Sequence, residues 1–324
     1  MVKSKSFLGF ALKFRKNFSL LKVSKFSLKE MILENKKHCF CTLALGKRYR
    51  SHALLLAQDI EKYAPGTKLV VLTDQPKIFS NYSQVLAFEH QQQSIGCYHD
   101  KRFVIAKALS LFNTCIFVDA DIRILDNIPS YIEWLPGITA RSCASLIKHN
   151  QAYINSVNDT HKPKRIRDLA ILNKLSKKLD IDLENPNTQF VMEMLFAVTR
   201  QDGREIEFIK HWETIANYCE LNGFYNAEGY AIGLAAAKAG LPVKWNAMED
   251  IVYFKDWVEK HKVQKGKANL DEKLIYFQQH EAIEYQKTSI IQKLKRKLDK
   301  YIGYYYRYWC LRIATLSNFY FYYW

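Results

Sequence analysis

Two aspartates separated by a single alanine, Asp119 and Asp121, follow the apolar run Cys115-Ile116-Phe117-Val118. Along an extended backbone side chains alternate, so the two carboxylates are expected on one side while Ala120 points away. Carboxylates this close repel one another, and a hard divalent cation, which takes oxygen ligands, is the group best suited to hold them together. Mg2+ or Mn2+ is the natural candidate. A second Asp-x-Asp, Asp180-Ile181-Asp182, follows the polar, basic stretch LNKLSKK and has no strand pattern beneath it. That copy reads as a solvated helix end. Context separates the two, and chemistry is assigned only to the first.

A carboxylate pair needs a rigid support. The stretch CIFVDADIRIL, Cys115 to Leu125, reads as a strand buried on both faces of a parallel sheet. Ligands of open α/β sheets bind beyond the carboxyl ends of such strands. Ahead of it, KRFVIAKALSLF places Val104, Ile105, Ala108, Leu109 and Phe112 on one helical face. Nearer the start, HCFCTLAL (His38 to Leu45) reads as the first strand and GKRYR as a loop. SHALLLAQDIEKYA then reads as a helix with Ser51 as N-cap, and TKLVVLTD (Thr67 to Asp74) as the second strand, after Pro65 and Gly66 stop the helix. This is a βαβ start with parallel strands. No GxGxxG follows the first strand, so the dinucleotide fingerprint is absent.

Beyond this core, QVLAFEH is a weak strand, NIPSYIEWLPG is turn-rich, and TARSCASLIK reads as a short strand. From Asn150 to Asn187 the chain is polar, basic and periodic, as expected of a helical insertion that could cover or select an acceptor. QFVMEMLFAVTR returns to a buried strand, followed by a helix carrying Ile206, Ile209, Trp212 and Ile215. Small residues from Ala227 to Ala239 suit a helix packed closely on the sheet, with Glu228 at its start. Glu249 and Asp250, after the strand VKWNAM, are competing carboxylates, and LIYFQQHEAI ends the body, with His280 following what reads as a last strand.

The chain has 324 residues and 48% hydrophobic content, enough for one large core with appendages. Seven cysteines, an odd number and scattered, show neither a disulfide framework nor zinc-site spacing, so a reducing cytosol is expected. The net charge of +16 is unevenly placed. Residues 1–37 carry ten Lys and Arg against Glu30 and Glu34, net +8; residues 286–324 carry eight against Asp299, net +7; the body between them is +1. A nucleic-acid enzyme would carry its basic stripe on the folded body, so no nucleic-acid partner is expected. Basic ends on a neutral body suit an anionic membrane surface.

In SIIQKLKRKLDKYI, Ile290, Ile291, Leu294, Leu298 and Ile302 share a helical face, and twelve aromatics follow between Tyr301 and Trp324. The expected division is a basic extension over 1–37, a catalytic domain over 38–284 with its insertion at about 150–187, and a basic aromatic tail over 285–324. The apolar cluster of the first segment is too short for a signal peptide or a membrane span.

The helix KRFVIAKALSLF running into a buried strand that ends in VDAD resembles nucleotide-sugar glycosyltransferases of the GT-A superfamily, with family-8-type enzymes as the nearest comparison. The resemblance extends weakly over about residues 38 to 280. It implies an α/β fold with a Rossmann-type central sheet flanked by helices, and a divalent metal, Mn2+ or Mg2+, on Asp119 and Asp121. That metal would grip the diphosphate of the sugar donor, with Ala120 among the donor contacts.

The same resemblance implies that the base and ribose meet Tyr49, Arg50, Thr73 and Asp74, and that Arg102, 17 residues before Asp119, faces the diphosphate or the aspartates, with Lys101 and Lys107 as alternates. Glu228 would be the catalytic base of an inverting transfer, and His280 would complete the metal shell. Two departures stand out. Phe190-Val191-Met192-Glu193 replaces a small-residue signature, which leaves the stereochemistry open, and the Gly, Lys, Pro and Trp expected after His280 are missing. The expected acceptor is a lipid-linked or surface glycan, with the enzyme in the cytoplasm, peripheral on the inner face of the membrane. The alternatives are a haloacid-dehalogenase-type phosphatase with Asp119 as nucleophile, which would prefer Thr or Val where Arg123 stands, and a non-catalytic membrane or nucleic-acid binding protein.

Overall fold

β1 (His38–Ala44) buries Cys39, Phe40 and Cys41 completely, as a strand in the middle of a helix-covered sheet must. This computed structural model describes residues 38–129, 132–156, 162–285 and 289–324; the expected N-terminal extension lies outside them. The described residues belong to one compact unit.

From β1 the chain enters α1 (Gly46–Tyr63), β2 (Lys68–Thr73), β3 (Val85–Glu89), α2 (Lys101–Leu109) and β4 (Thr114–Val118). β5 (Arg123–Ile124), β6 (Gly137–Ala140), β7 (Cys143–Ser145), α3 (Leu146–Ser156) and α4 (Lys162–Leu179) follow. Then come β8 (Gln189–Val191), β9 (Leu195–Thr199), α5 (Arg204–Leu221), α6 (Glu228–Ala239), β10 (Val243–Trp245) and β11 (Tyr253–Phe254). The chain ends with α7 (Asp256–Gln264), α8 (Leu274–Glu284), α9 (Ile290–Thr315) and α10 (Phe319–Tyr323).

The central sheet has seven strands in the order β10-β6-β9-β4-β1-β2-β3. β9 runs antiparallel to both its neighbours, and every other pairing is parallel. This is the mixed, mostly parallel α/β architecture expected from the strand patterns. The pairings Ala44↔Thr73 and Cys41↔Phe117 bring the carboxyl ends of β1, β2 and β4 to one edge of the sheet. Beneath that edge, Ile116, Val118, Ala120, Ile122 and Ile124 pack with Leu56 and Ile60 of α1 in one core cluster. Ala120 therefore points inward, and it holds the turn that carries the aspartates against the core.

Four local expectations are corrected. α1 starts at Gly46, not after Ser51: the Asp74 carboxylate accepts the Gly46 N–H at 3.1 Å, so the end of β2 supplies the cap, while the Ser51 hydroxyl donates to Lys47 O inside the helix. TARSCASLIK splits into two short strands and the start of α3. LIYFQQHEAI forms α8, because its four-residue apolar run is too short to tell a strand from a buried helix segment. In α5, Phe208, Trp212, Ile215 and Cys219 form the buried face, whereas Ile206 is exposed.

Of the stretch expected to be a helical insertion, α3 covers 150–156 and α4 covers 162–179. Asp180 and Asp182 are exposed just past the end of α4, the position read for them in the sequence. Close packing of α6 is extreme, since a Cβ on Gly233 would sit 1.6 Å from Gln189 O and one on Gly229 2.6 Å from Val191 O. Among the described residues no helix is long and apolar enough to cross a membrane.

Candidate active site

β4 ends at Val118, and the chain turns at once, with Ile122 N–H donating to Asp119 O at 3.0 Å. Asp119 N–H still donates to Met194 O at 2.9 Å, extending the contact with β9 by one residue. The two carboxylates converge through this turn and not through the alternation of an extended strand. Arg123 fixes the far side of the turn: it grips Asp59 of α1 with two guanidinium hydrogen bonds of 2.6 and 2.7 Å, and Ile124 N–H donates to the same carboxylate at 3.1 Å.

Two buried lysines meet the aspartates. Lys101, the first residue of α2, places Nζ 2.8 Å from Asp119 Oδ1, 3.2 Å from each carboxylate oxygen of Glu228, and 3.2 Å from Glu193 O. Lys255 places Nζ 3.1 Å from Asp119 Oδ2 and also contacts Asp121 Oδ1, so it bridges the pair. Its position follows from topology. β11 pairs antiparallel with β5 in the register Tyr253↔Ile124 and Phe254↔Arg123, which returns residue 255 to the mouth of the aspartate turn. No sequence pattern marks Lys255, because YFKDW has neither a repeat nor a motif; only the pairing of two two-residue strands brings it there.

Burial opposes the ionised forms of Lys101, Lys255, Asp119 and Glu228. At Asp119 the Lys101 and Lys255 ammoniums outweigh that cost and hold the carboxyl below its usual range. Both lysines, likewise desolvated, are kept charged by their carboxylate partners, and their pKa values rise. Glu228 behaves differently. Burial lifts its pKa well above the ordinary carboxyl range, Lys101 opposes this, and the charges of Glu193 and Asp119 add to it.

The expected nucleotide contacts divide into two groups. Arg50 pairs with Asp74, and the Thr73 hydroxyl accepts the Gln75 N–H at 3.3 Å, so these three gather at the ends of β1 and β2. Tyr49 is 40% exposed; burial of the rest of the ring raises its pKa, opposed first by the Arg48 guanidinium, which lies 4.8 Å from the ring centroid. Arg102 lies elsewhere: it donates to His99 O at 2.8 Å, reaches Glu213 at 3.9 Å and covers the Phe103 ring. Lys107 covers the Phe88 ring at the β3 side. Of the three basic residues considered on this helix, Lys101 is the one that contacts the aspartates.

His280 lies on α8 with Glu284 one turn on, and its ring centroid is 5.0 Å from that of His52 on α1. The ligand atoms of His52, His280 and Glu284 all lie within 4.8 Å of one another. Glu284 Oε1 is already engaged by Arg48 at 2.6 Å and by His52 at 3.0 Å. Burial lowers the His52 pKa, opposed first by the Glu284 hydrogen bond and then by the Asp121 charge; among the described residues this group shares no ligand with the aspartate pair. The oxygens of Asp119 and Asp121 suit a hard divalent ion. The same oxygens hold Lys255, and an ammonium and a divalent ion repel strongly when they share ligands.

No protein-family model matches the chain, and no curated protein matches it. Among solved structures it is similar to the apo structure of the WbbM bifunctional glycosyltransferase, at 9% identity and a TM-score of 0.39, over 65% of this chain and 39% of that one. Because the chain spans well under half the length of that protein, none of its activity is carried over.

Proposed function

We propose that the chain is a glycosyltransferase that moves a sugar from a nucleotide-sugar donor to a glycan or lipid-linked acceptor. The observation that carries this reading is the assembly, at the carboxyl edge of the sheet, of Asp119 and Asp121 with the buried Lys101, Lys255 and Glu228. That edge is where open α/β sheets bind ligands. Arg50, Thr73 and Asp74 at the adjacent strand ends, with Tyr49 nearby, supply a polar rim for a base and ribose.

Asp119 and Asp121 are the residues that would hold Mn2+ or Mg2+, and such an ion supplies positive charge to a leaving diphosphate. Lys101 keeps the Asp119 carboxylate oriented. In the transfer, the acceptor oxygen bonds to the anomeric carbon as the bond from that carbon to the diphosphate breaks, and the hydroxyl proton goes to a base. Glu228 is assigned that role for an inverting reaction. Burial raises the pKa of this carboxyl, and a carboxylate of raised pKa is a stronger base than an exposed glutamate.

The phosphatase alternative is less well supported, because both oxygens of Asp119, its nucleophile, are held by ammonium groups. Placement on the cytoplasmic face of an anionic membrane is supported by α9, where Ile290, Ile291, Leu294, Leu298 and Ile302 are all exposed beside Lys293, Arg296, Lys297 and Lys300. A panel of nucleotide sugars, each assayed for hydrolysis and transfer with Mn2+, Mg2+ or EDTA, tests the proposal. At least one donor should be turned over by the full chain and not by Asp119→Ala. Equal turnover by that variant, or cleavage of simple phosphate esters in place of every nucleotide sugar, would refute it.

A further inference from the structure

Lys101 and Lys255 differ in how firmly they are held. Lys101 has four acceptors from three residues, one of them a backbone carbonyl, and it starts a helix that packs on the sheet. Lys255 has two, both carboxylate oxygens, one from each of the aspartates read as metal ligands. Its backbone is extended, between the last residue of a two-residue strand and the first of α7. A lysine ammonium on a four-carbon stem can change partners without backbone motion.

Charge makes the exchange specific. With Lys255 bridging them, and Lys101 on the other oxygen of Asp119, the converging carboxylates stay together without a metal ion, although a second cation on the oxygens that hold Lys255 is opposed. If Lys255 leaves alone, a desolvated ammonium loses both partners. If an anionic diphosphate arrives, the ammonium gains a new one within reach of the same site. We propose that Lys255 is an exchangeable counter-ion: it holds Asp119 and Asp121 together in the empty enzyme and moves onto the donor diphosphate when the divalent ion binds. The inference rests on the donor-site reading above. Lys255 thereby couples the two ligands, since it penalises the metal alone and rewards the metal together with the diphosphate. By linkage the coupling is reciprocal.

The test compares the full chain with Lys255→Met and Lys255→Gln, measuring Mn2+ binding alone by electron paramagnetic resonance and then the affinity for ADP, GDP, CDP and UDP at saturating Mn2+. Both variants should bind Mn2+ alone more tightly, by about 5- to 150-fold, the usual range of coupling between sites. Both should also bind the preferred nucleoside diphosphate more weakly. Should one variant fail to fold, thermal unfolding decides with the other, because added Mn2+ should raise its midpoint more than that of the wild type. Unchanged or weaker Mn2+ binding in the variants overturns the exchange. Full-strength nucleotide binding by the wild type in EDTA also overturns it, making Lys255 a permanent counter-ion while leaving the donor site standing. If the wild type binds no nucleoside diphosphate under any condition, the donor-site reading itself falls and takes this inference with it.

Discussion

Replacing Lys101 with methionine keeps most of the apolar stem but removes a buried charge with three partner residues, together with the ammonium that lies 4.9 Å from the Phe117 ring centroid. Breaking a buried pair by removing one partner typically costs about 3–5 kcal/mol, because the remaining charge is left uncompensated. Here Lys255 still pairs with Asp119, so that carboxylate is not left without a counter-charge. The low end, about 3 kcal/mol, is therefore expected at neutral pH. The loss depends on pH with a definite sign. Asp119 is held below its unfolded pKa, so the stability it confers is present above about pH 3.9 and disappears as pH falls through its folded value. Urea unfolding of Lys101→Met should thus show a gap to the wild type that persists from pH 7 down to about pH 4 and narrows only as the pH falls further. In a double-mutant cycle with Asp119→Asn, the pair should show a coupling of about 1–3 kcal/mol. A gap independent of pH, or additivity within about 0.5 kcal/mol, would refute the claim that Lys101 serves chiefly to compensate Asp119.

Four further outcomes are expected. Glu228→Gln should lower turnover by about a hundredfold or more with nucleotide affinity nearly unchanged; steady-state kinetics alongside equilibrium binding would expose a purely structural role if affinity falls and turnover survives. Gly233→Ala forces a Cβ to within 1.6 Å of Gln189 O, so it should destabilise the fold by about 3 kcal/mol or prevent folding, as read by thermal unfolding. Glu220, desolvated yet accepting the Ile95 and Gly96 N–H groups at 2.9 and 3.1 Å, has its pKa raised to about 7. A raised acid favours folding below its unfolded pKa and loses that advantage as pH rises through the folded value, so roughly 3 kcal/mol should be lost between about pH 4.5 and 7, and Glu220→Gln should flatten that slope in urea titrations. Changing Lys293, Arg296, Lys297 and Lys300 together to Gln should weaken binding to anionic vesicles by about a thousandfold, at about 1 kcal/mol per charge. Co-sedimentation that does not change would remove α9 from the membrane contact. Substitution is preferable to deleting the tail, because Tyr304 hydrogen-bonds Tyr225 at 2.8 Å and Phe321 packs on Tyr218, so deletion would uncover α5 and the loop after it.

The parts of the fold set by local pattern were legible in the sequence. Continuous apolar runs gave β1, β2 and β4, and helical spacing gave α2 and α4. The failures share a physical cause, which is that the deciding partner lies far away in sequence. Ser51 looks like an N-cap until Asp74, 28 residues beyond Gly46, is seen to cap the helix from the next strand. LIYF is apolar enough for either a strand or a helix, and only Phe277 packing on Phe254 settles its packing as a helix face. The candidate site shows the same limit more sharply. Asp119, Asp121 and Glu228 could be singled out because a carboxylate at a strand or helix end is a conspicuous residue in a conspicuous place.

Lysines are different, since 48 Lys and Arg are spread through the chain and a lysine acquires meaning only from the acid it reaches. Lys101 could at least be named as an alternate on its helix, because one turn of the helix offers a short list. Lys255 could not, because its meeting with Asp121, 134 positions away, depends on the pairing of two two-residue strands. The consequence is physical as well as methodological. An acidic pair read alone calls for an external cation, whereas the folded chain supplies two of its own, Lys101 on one oxygen of Asp119 and Lys255 on the other and on Asp121. Any affinity of the pair for a divalent ion is therefore a difference between that ion and Lys255, and it is set as much by where the displaced ammonium can go as by the carboxylates themselves.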